Sequence, residues 1–571
     1  VSGRARKSGA ARKKAGAHAK KAPTRAKKAP ARAKSAAPRA KNAAPRSKPR
    51  ARRPLRRFKK VLVANRGEIA IRVCRTLREM GIASVAVFSD ADRDALHVFA
   101  ADEAHPIGPA AASQSYLDAE KVIATALACG AEAIHPGYGF LAESADFAER
   151  VERAGLVWIG PTPAATRAMG DKLRARALAI RAGVPVLPGT ETPVSDLAEL
   201  RRAADSIGYP VVLKAAAGGG GKGMRRVNGP GEFEQAVRLT QGEARGAFGD
   251  DRLYLERWLE KPRHIEVQIL ADAHGTILAL GERDCSVQRR HQKLLEETPS
   301  PALDDKRRQE LWALAVKVAR EGGYTNAGTA EFLMDREGRF YFLEMNARLQ
   351  VEHPITEMVL GIDLVREQVR IAEGERLDMT QDSVRPSGAS IELRIYAEDP
   401  DQGFLPQAGL VRRLVLPAGP GVRCDVGVAS GGQVPVHYDP LIGKIIVWAE
   451  TRDLAVARAR RAAEECVLEG IRTTLPIHRW LLAREEFAAG HCDTAFLTHH
   501  FRRADPPDPV REEEDAAVLA ALFARVEAGT PAAAATGEAS KRPMTSGSPG
   551  AESRWRTAVS TLRHGLQGSG R

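Results

Sequence analysis

The chain has 571 residues with 87 lysines and arginines against 71 acidic residues, a formal +16 that by itself suggests a nucleic-acid binder. Position changes that reading: residues 1–60 hold 24 basic side chains and no acid, the first being Glu68, so the remaining 511 carry 63 basic and 71 acidic groups, a net of −8. With 43% hydrophobic residues a wholly disordered or fibrous protein is excluded, and no apolar run reaches the ~18–20 residues that span a bilayer, so the body is expected to be soluble.

Residues 1–57 repeat Ala, Lys, Arg and Pro, and prolines at 23, 30, 38, 45, 49 and 54 interrupt any helix. With almost nothing apolar to bury, the expectation is a disordered arm. Its partners by charge are nucleic acid, acidic proteins or anionic lipid. At Phe58 the pattern changes to a strand at 60–64, the turn NRGE, a helix with Ile69, Val73, Leu77 and Met80 on one face, and a strand at 84–88. Strand, helix and strand within thirty residues predict a βαβ unit of a parallel sheet. A further helix, the strand AEAIHP, the turn GYGF and the strand LVWIG complete an N-terminal doubly wound, Rossmann-like domain over 58–170.

The central stretch, 171–375, predicts strands YPVVLKA, RLYLERWL, HIEVQILAD, ILALGERDCSVQ, AGTAEFLM and RFYFLEMN between helices, an α+β pattern. A smaller β-rich block spans 385–500, with SIELRIYAED, VRRLVL, LIGKIIVWA and a helix beginning DLAVARA. From 505 to 571 a mostly disordered tail is expected, with one helix over 512–528. Six cysteines, Cys74, Cys129, Cys285, Cys424, Cys466 and Cys492, lack CxxC spacing, which points to reduced thiols in a cytoplasmic protein.

Four segments carry chemistry. KAAAGGGGKGM (214–224) fits either a loop whose bare backbone closes over phosphates, flanked by Lys214 and Lys222, or a flexible solvent loop. The strands GTAEFLM and RFYFLEMN, with a regular four-residue turn between them, would pair Glu331 with Phe342 and leave Glu344 diagonal to Glu331, with Asn346 extending that side. Two carboxylates and an amide oxygen suit Mg²⁺, although an ordinary amphipathic hairpin reads the same. In NARLQVEHPITE, strand geometry would put Arg348, Gln350 and Glu352 on one side, a guanidinium beside a general base. ERDCSVQRRHQKLLEE adds Arg289, Arg290, His291 and Lys293, suited to phosphate or bicarbonate, or else a solvated charged loop.

Together ANRGEIAIRV (64–73), AIHPGYGFLAES (133–144), MGDK (169–172), the glycine run, PRHIEVQ (262–268), ERDCSVQRRHQK (282–293), FLEMNARLQVEHPITEM (342–358), ELRIYAEDP (392–400) and YDPLIGK (438–444) resemble the biotin carboxylases of the ATP-grasp superfamily. The likeness runs from about Phe58 to about 500. It implies a central ATP-grasp domain with a glycine-rich lid and a reaction in which ATP, bicarbonate and carrier-borne biotin give carboxybiotin, ADP and phosphate through carboxyphosphate.

The resemblance also implies roles. Lys172, Lys214, Gly220, Gly221, Glu256, Arg257, Trp258, Leu259, His264 and His291 would contact ATP, and Glu331, Glu344 and Asn346 would hold Mg²⁺ or Mn²⁺. Lys293, Arg348, Gln350 and Val351 would hold bicarbonate, with Glu352 as its base. Arg394 would bind biotin and stabilise its enolate form, so that the catalytic set is Arg348, Glu352 and Arg394. Lys222 stands where many relatives carry Arg, and about 65 residues follow the C-terminal block.

No AMKM-like biotinylation hairpin is present and no region suits a carboxyltransferase. The expectation is therefore a separate subunit of acetyl-CoA carboxylase in fatty acid synthesis, partnered by a biotin carboxyl carrier protein and a carboxyltransferase. Propionyl-CoA or pyruvate carboxylase would use the same half-reaction. A homodimer is expected, with Arg75 and Glu79 at positions resembling the family interface.

Overall fold

The computed structural model describes residues 55–216 and 224–501. The arm to residue 54, the glycine run with Gly220, Gly221 and Lys222, and the tail with its expected helix 512–528 lie outside the described residues. Residues 55–57, expected to belong to the arm, instead lie against the body: the Arg56 amide donates to the Glu373 carbonyl (2.9 Å), and Arg57 pairs with the Glu373 carboxylate at 2.7 Å.

The first strands, β1 (Lys60–Val63), β2 (Ala83–Ser89), β3 (Glu103–Gly108), β4 (Ala133–His135) and β5 (Val157–Trp158), form a sheet in the order β3-β2-β1-β4-β5. Every pairing is parallel. The helix α1 (Gly67–Glu79) buries Ile69, Val73 and Leu77 against it, as the 3.6-residue period requires. Strand β3, EAHPIG, has neither alternation nor an apolar run, and its Pro106 suits the edge position it takes. The strand order reverses beside β1, opening a crevice at the carboxyl ends of β1 and β4. There the Asn65 amide donates to the carbonyls of Pro136 and Tyr138, both at 2.7 Å, and locks the GYGF turn. Gly137 sits at φ +63°, and a Cβ there would press on Asn65 at 3.0 Å, so the motif needs its glycine.

The central stretch contains two sheets. Strands β6 (Val211–Ala215), β7 (Met224–Val227) and β8 (Leu253–Arg257) make a small antiparallel sheet with β6 in the middle. Val211, Leu213 and Leu255 on one face pack with Leu200, Phe233 and Val237 of the two helices that cover it.

The larger sheet takes β9 (Arg263–Ala271), β10 (Ile277–Arg289), β11 (Gln292–Thr298), β12 (Asn326–Met334), β13 (Phe340–Asn346) and β14 (Ala389–Tyr396), with Leu441–Ala449 and Val422–Val426 beyond. They form one eight-stranded sheet, β13-β12-β9-β10-β11-β14 followed by those two. The sequence pattern divides here into an α+β domain and a separate β-rich block, yet β11 pairs with β14, with Glu296 opposite Glu392, so the sheet runs through both. The charged run 282–297 is the β10–β11 hairpin, turned at Arg290 and His291 with φ of 48° and 70°, the left-handed pair a tight hairpin turn demands.

The β12–β13 hairpin departs from the expected register. Met334 pairs with Phe340, and a register shift after Glu331 places that residue directly opposite Glu344 rather than opposite Phe342. One added residue in the turn and the bulge bring the two carboxylates face to face instead of diagonal.

Candidate active site

All eight residues of β14 are buried, its polar side chains included, as are Glu266, Gln268 and Arg283. The helix His353–Leu360 packs against β10, β11, β14 and Leu441–Ala449. Glu344, Glu331, Glu266 and Arg283 stand directly opposite one another across β13, β12, β9 and β10. Three neighbouring acids, Glu331 and Glu266 of them buried, require cations. Arg283 donates to Glu266, Gln268, Thr329 and Thr356. Lys293, on β11, reaches Glu266 at 2.6 Å, Glu331 at 3.0 Å and Glu352 at 2.7 Å. Burial opposes its charge, but the three carboxylates outweigh burial and hold the Lys293 ammonium well above its usual range.

Residues 347–352 form no strand. They make an irregular turn into the helix His353–Leu360, with Glu352 at its N-cap position, yet the expected side chains still converge. Arg348 donates to Gln350 Oε1 (3.0 Å) and Asn346 Oδ1 (3.2 Å), and its Nε lies 3.0 Å from Glu143 of the first domain's FLAES motif. Glu352 is fully buried between Lys293 and Arg394, whose Nη2 donates at 2.9 Å. Burial pushes its carboxyl up, but Lys293, Arg394 and Arg283 pull it well below the carboxylate range. Arg394 also pairs with Glu296 and donates to Tyr396 Oη at 3.2 Å. Burial raises Glu296 to about 7 despite that guanidinium. The Val351 carbonyl accepts from Lys444 Nζ at 2.8 Å.

The two facing carboxylates are shifted in opposite directions. Burial and then the Glu331 charge push Glu344 up, while Lys293 and His264, 3.0 Å from Glu331, overcome burial and hold Glu331 down. Asn346 donates its amide to Glu331 at 2.9 Å. Glu331 and Glu344 face one another with Asn346 beside them, oxygen-bearing side chains of the kind a hard divalent cation takes, although the Asn346 oxygen here accepts from Arg348. His264 and Glu266 also bring ligand atoms within 4.8 Å of Glu331.

A cleft between this hairpin and the small sheet is lined by Lys172, Arg176, Lys214, Tyr254, Glu256 and Glu344. Lys172 opens the helix Lys172–Arg181, capped by Asp171. Lys214 and Arg176 both pair with Glu256. Of the stretch from Glu256 to Leu259, the Glu256 side chain lines the cleft; Arg257 points to solvent and the Trp258 ring lies 5.2 Å from the Arg226 guanidinium. Desolvation, with Lys214, His264 and Lys172 nearby, lowers the His291 imidazole. Arg75 and Glu79 make contacts within the chain, to Asp425 (3.6 Å) and Arg366 (3.0 Å).

Sequence reasoning did not single out Glu266, Arg283, Glu296, Glu392 or Lys444, all buried beside the site. Their only signal was membership of the quoted motifs.

Comparison with known proteins bears on the whole described body. Residues 57–166 match the biotin carboxylase N-terminal domain, 171–380 the ATP-binding domain of the carbamoyl-phosphate synthase L chain, and 392–499 the biotin carboxylase C-terminal domain. The chain is 53% identical over 441 residues to a biotin carboxylase of a Nostoc species, covering 77% of this chain and 99% of that one. It is 50% identical to a pyruvate carboxylase subunit from Methanothermobacter thermautotrophicus, over 78% of this chain and 91% of that one. Among solved structures, a Campylobacter jejuni biotin carboxylase complex with a β,γ-ATP ligand superposes with a TM-score of 0.76 at 45% identity, covering 78% of this chain and 99% of that one. The biotin carboxylase domain dimer of Hydrogenobacter thermophilus 2-oxoglutarate carboxylase, with MgADP, ADP and bicarbonate, gives 0.76 at 46% identity, covering 79% and 99%.

Proposed function

The chain belongs to the biotin carboxylase family and is an ATP-dependent carboxylase; on that premise we propose that it performs the first half-reaction of acetyl-CoA carboxylase, transferring bicarbonate carbon to biotin borne on a separate carrier protein. The observation that carries the reading is Glu352, a buried carboxylate held between Lys293 on one side and Arg394 on the other. A base that takes the bicarbonate proton needs a cation for the anion it serves and must stay ionised at neutral pH. In this reading bicarbonate takes over Lys293, Arg348, Gln350 and the Val351 backbone, and Glu352 receives its proton as the anion attacks the γ-phosphate of ATP.

Lys172, Lys214, Glu256, His264 and His291 would hold the nucleotide around the cleft, with Gly220 and Gly221 closing over it. Glu331, Glu344 and Asn346 would hold Mg²⁺, whose charge offsets that of the phosphates. Arg394, never deprotonated, stabilises the ureido oxygen of biotin as its nitrogen becomes nucleophilic. The six unpaired cysteines suit a reducing cytoplasm. The likeness to the Methanothermobacter pyruvate carboxylase chain favours a second reading, the same half-reaction in a pyruvate-carboxylating assembly, because the acyl acceptor is chosen by the carboxyltransferase partner.

ADP release with free biotin tests the proposal. It should require bicarbonate and Mg²⁺, and Arg394→Ala should lower the biotin-dependent part by about 10²-fold or more. An unchanged rate in that variant removes the assignment. Reconstitution with carrier and carboxyltransferase proteins, offered acetyl-CoA or pyruvate, decides between the two acceptors.

A further inference from the structure

Lys444 ends the YDPLIGK motif and has no role in the assignments above. Its side chain is 0% exposed, and it stands directly opposite Arg394 across the pairing of β14 with Leu441–Ala449. Its ammonium does two things. It lies 3.2 Å from Glu68, in the first turn of α1, whose carboxylate accepts from the Tyr138 hydroxyl of the GYGF turn. It also donates to the Val351 carbonyl at 2.8 Å.

That carbonyl lies just before the helix His353–Leu360, and among the described residues no backbone N–H reaches it. A carbonyl partly withdrawn from water needs a partner, and here a cation supplies it. The carbonyl belongs to the peptide joining Val351 to Glu352, so whatever fixes it fixes the plane from which the Glu352 side chain departs. Glu392, Asp425 and Arg423 complete the charged surroundings of Lys444.

We propose that Lys444 is a positioning residue for the 348–352 turn: by holding the Val351 carbonyl it sets where the Val351 backbone and the Glu352 carboxylate meet bicarbonate, and through Glu68 and Tyr138 it ties that turn to the first domain. This rests on the reading of the turn as the bicarbonate site.

The test compares Lys444→Met, Glu68→Gln and the double variant, which leaves neither the buried Glu68 carboxylate nor the ammonium alone. Loss of a charge-assisted hydrogen bond that orients one substrate's site should raise the bicarbonate KM by about tenfold in Lys444→Met while the ATP KM stays within about twofold. The double variant should keep the defect, and Glu68→Gln alone should not show it. Recovery of the bicarbonate KM in the double variant would mean that Lys444 only neutralises Glu68, and would overturn the proposal. So would ATP and bicarbonate KM rising together, or neither rising. If Lys444→Met does not fold, the double variant carries the measurement. Hydrogen exchange separates this proposal from the bicarbonate reading: amides of 348–352 should exchange faster in both Lys444 variants even if the full-length protein releases no ADP, and unchanged exchange would refute the role of Lys444.

Discussion

The small sheet β7-β6-β8 and the eight-stranded sheet use the same strand alternation to opposite ends. In the small sheet Val211, Leu213 and Leu255 face the covering helices, while Lys214 and Glu256 line the cleft. In the large sheet the polar face is covered too, by the helix His353–Leu360 and the turn before it, so Glu266, Arg283, Glu296 and Arg394 compensate one another away from water. The difference teaches where charge is structural as well as chemical. At the cleft the single acid Glu256 keeps Arg176 as a partner when Lys214 is lost. A cation lost from the covered row leaves several buried carboxylates sharing fewer cations.

Variants in the two sheets can break this contrast. The largest effect is expected at the proposed base: Glu352→Gln should lower bicarbonate-dependent ADP release by about 10²–10⁴-fold, read in a coupled assay at saturating ATP. Next comes Arg283→Met, which touches neither nucleotide nor biotin in the proposed site but leaves Glu266 to share the Lys293 ammonium with Glu331 and Glu352. Chemical denaturation should show a loss of about 3–5 kcal/mol, whereas Arg226→Ala, whose pair with Glu260 on the small sheet is half exposed, should lose less than about 1 kcal/mol. Equal losses would erase the distinction between the sheets. Lys214→Met should raise the ATP KM by about tenfold with the bicarbonate KM nearly unchanged, since its charge faces the cleft rather than the row.

The smallest effect concerns pH. Burial raises Glu296 from 4.5 to about 7, so the folded protein binds its proton more tightly than the unfolded chain. That contribution to stability is therefore present at low pH and lost as pH rises from 4.5 through 7. Glu331 and Glu352 are depressed and act in the opposite sense: their contributions hold above the normal glutamate value and fade as pH falls through their folded values. Denaturation midpoints at pH 5 and pH 8 should differ less, in the sense of losing the alkaline penalty, in Glu296→Gln than in the parent chain. An identical difference in both would assign the penalty elsewhere, with Glu68, also raised to about 7, the next group to replace.

The first sheet was legible because β1, β2, β4 and β5 are short apolar runs and α1 repeats at helical spacing; β3 was not, because EAHPIG carries neither signal. The β12–β13 hairpin was legible as two strands but not in register, since a bulge after Glu331 leaves no mark in residue type. Arg348, Gln350 and Glu352 were expected together on a strand and do meet, through a turn instead. The charge of the arm, which dominates the composition, bears on none of this: the body's cations gather locally around its buried acids.

By itself the sequence determined the elements with clear periodicity, the split between a basic arm and a mildly acidic body, and, through its ordered motifs, the family and the identity of the candidate residues. Only the tertiary structure decided that the central and C-terminal blocks share one sheet, that Glu331 opposes Glu344, and that the polar strand faces are buried. Alternation records that two faces differ, not what covers each. A covering helix far along the chain converts a wet face into a dry one, and with it turns ordinary charged residues into a compensated row on which the proposed chemistry depends.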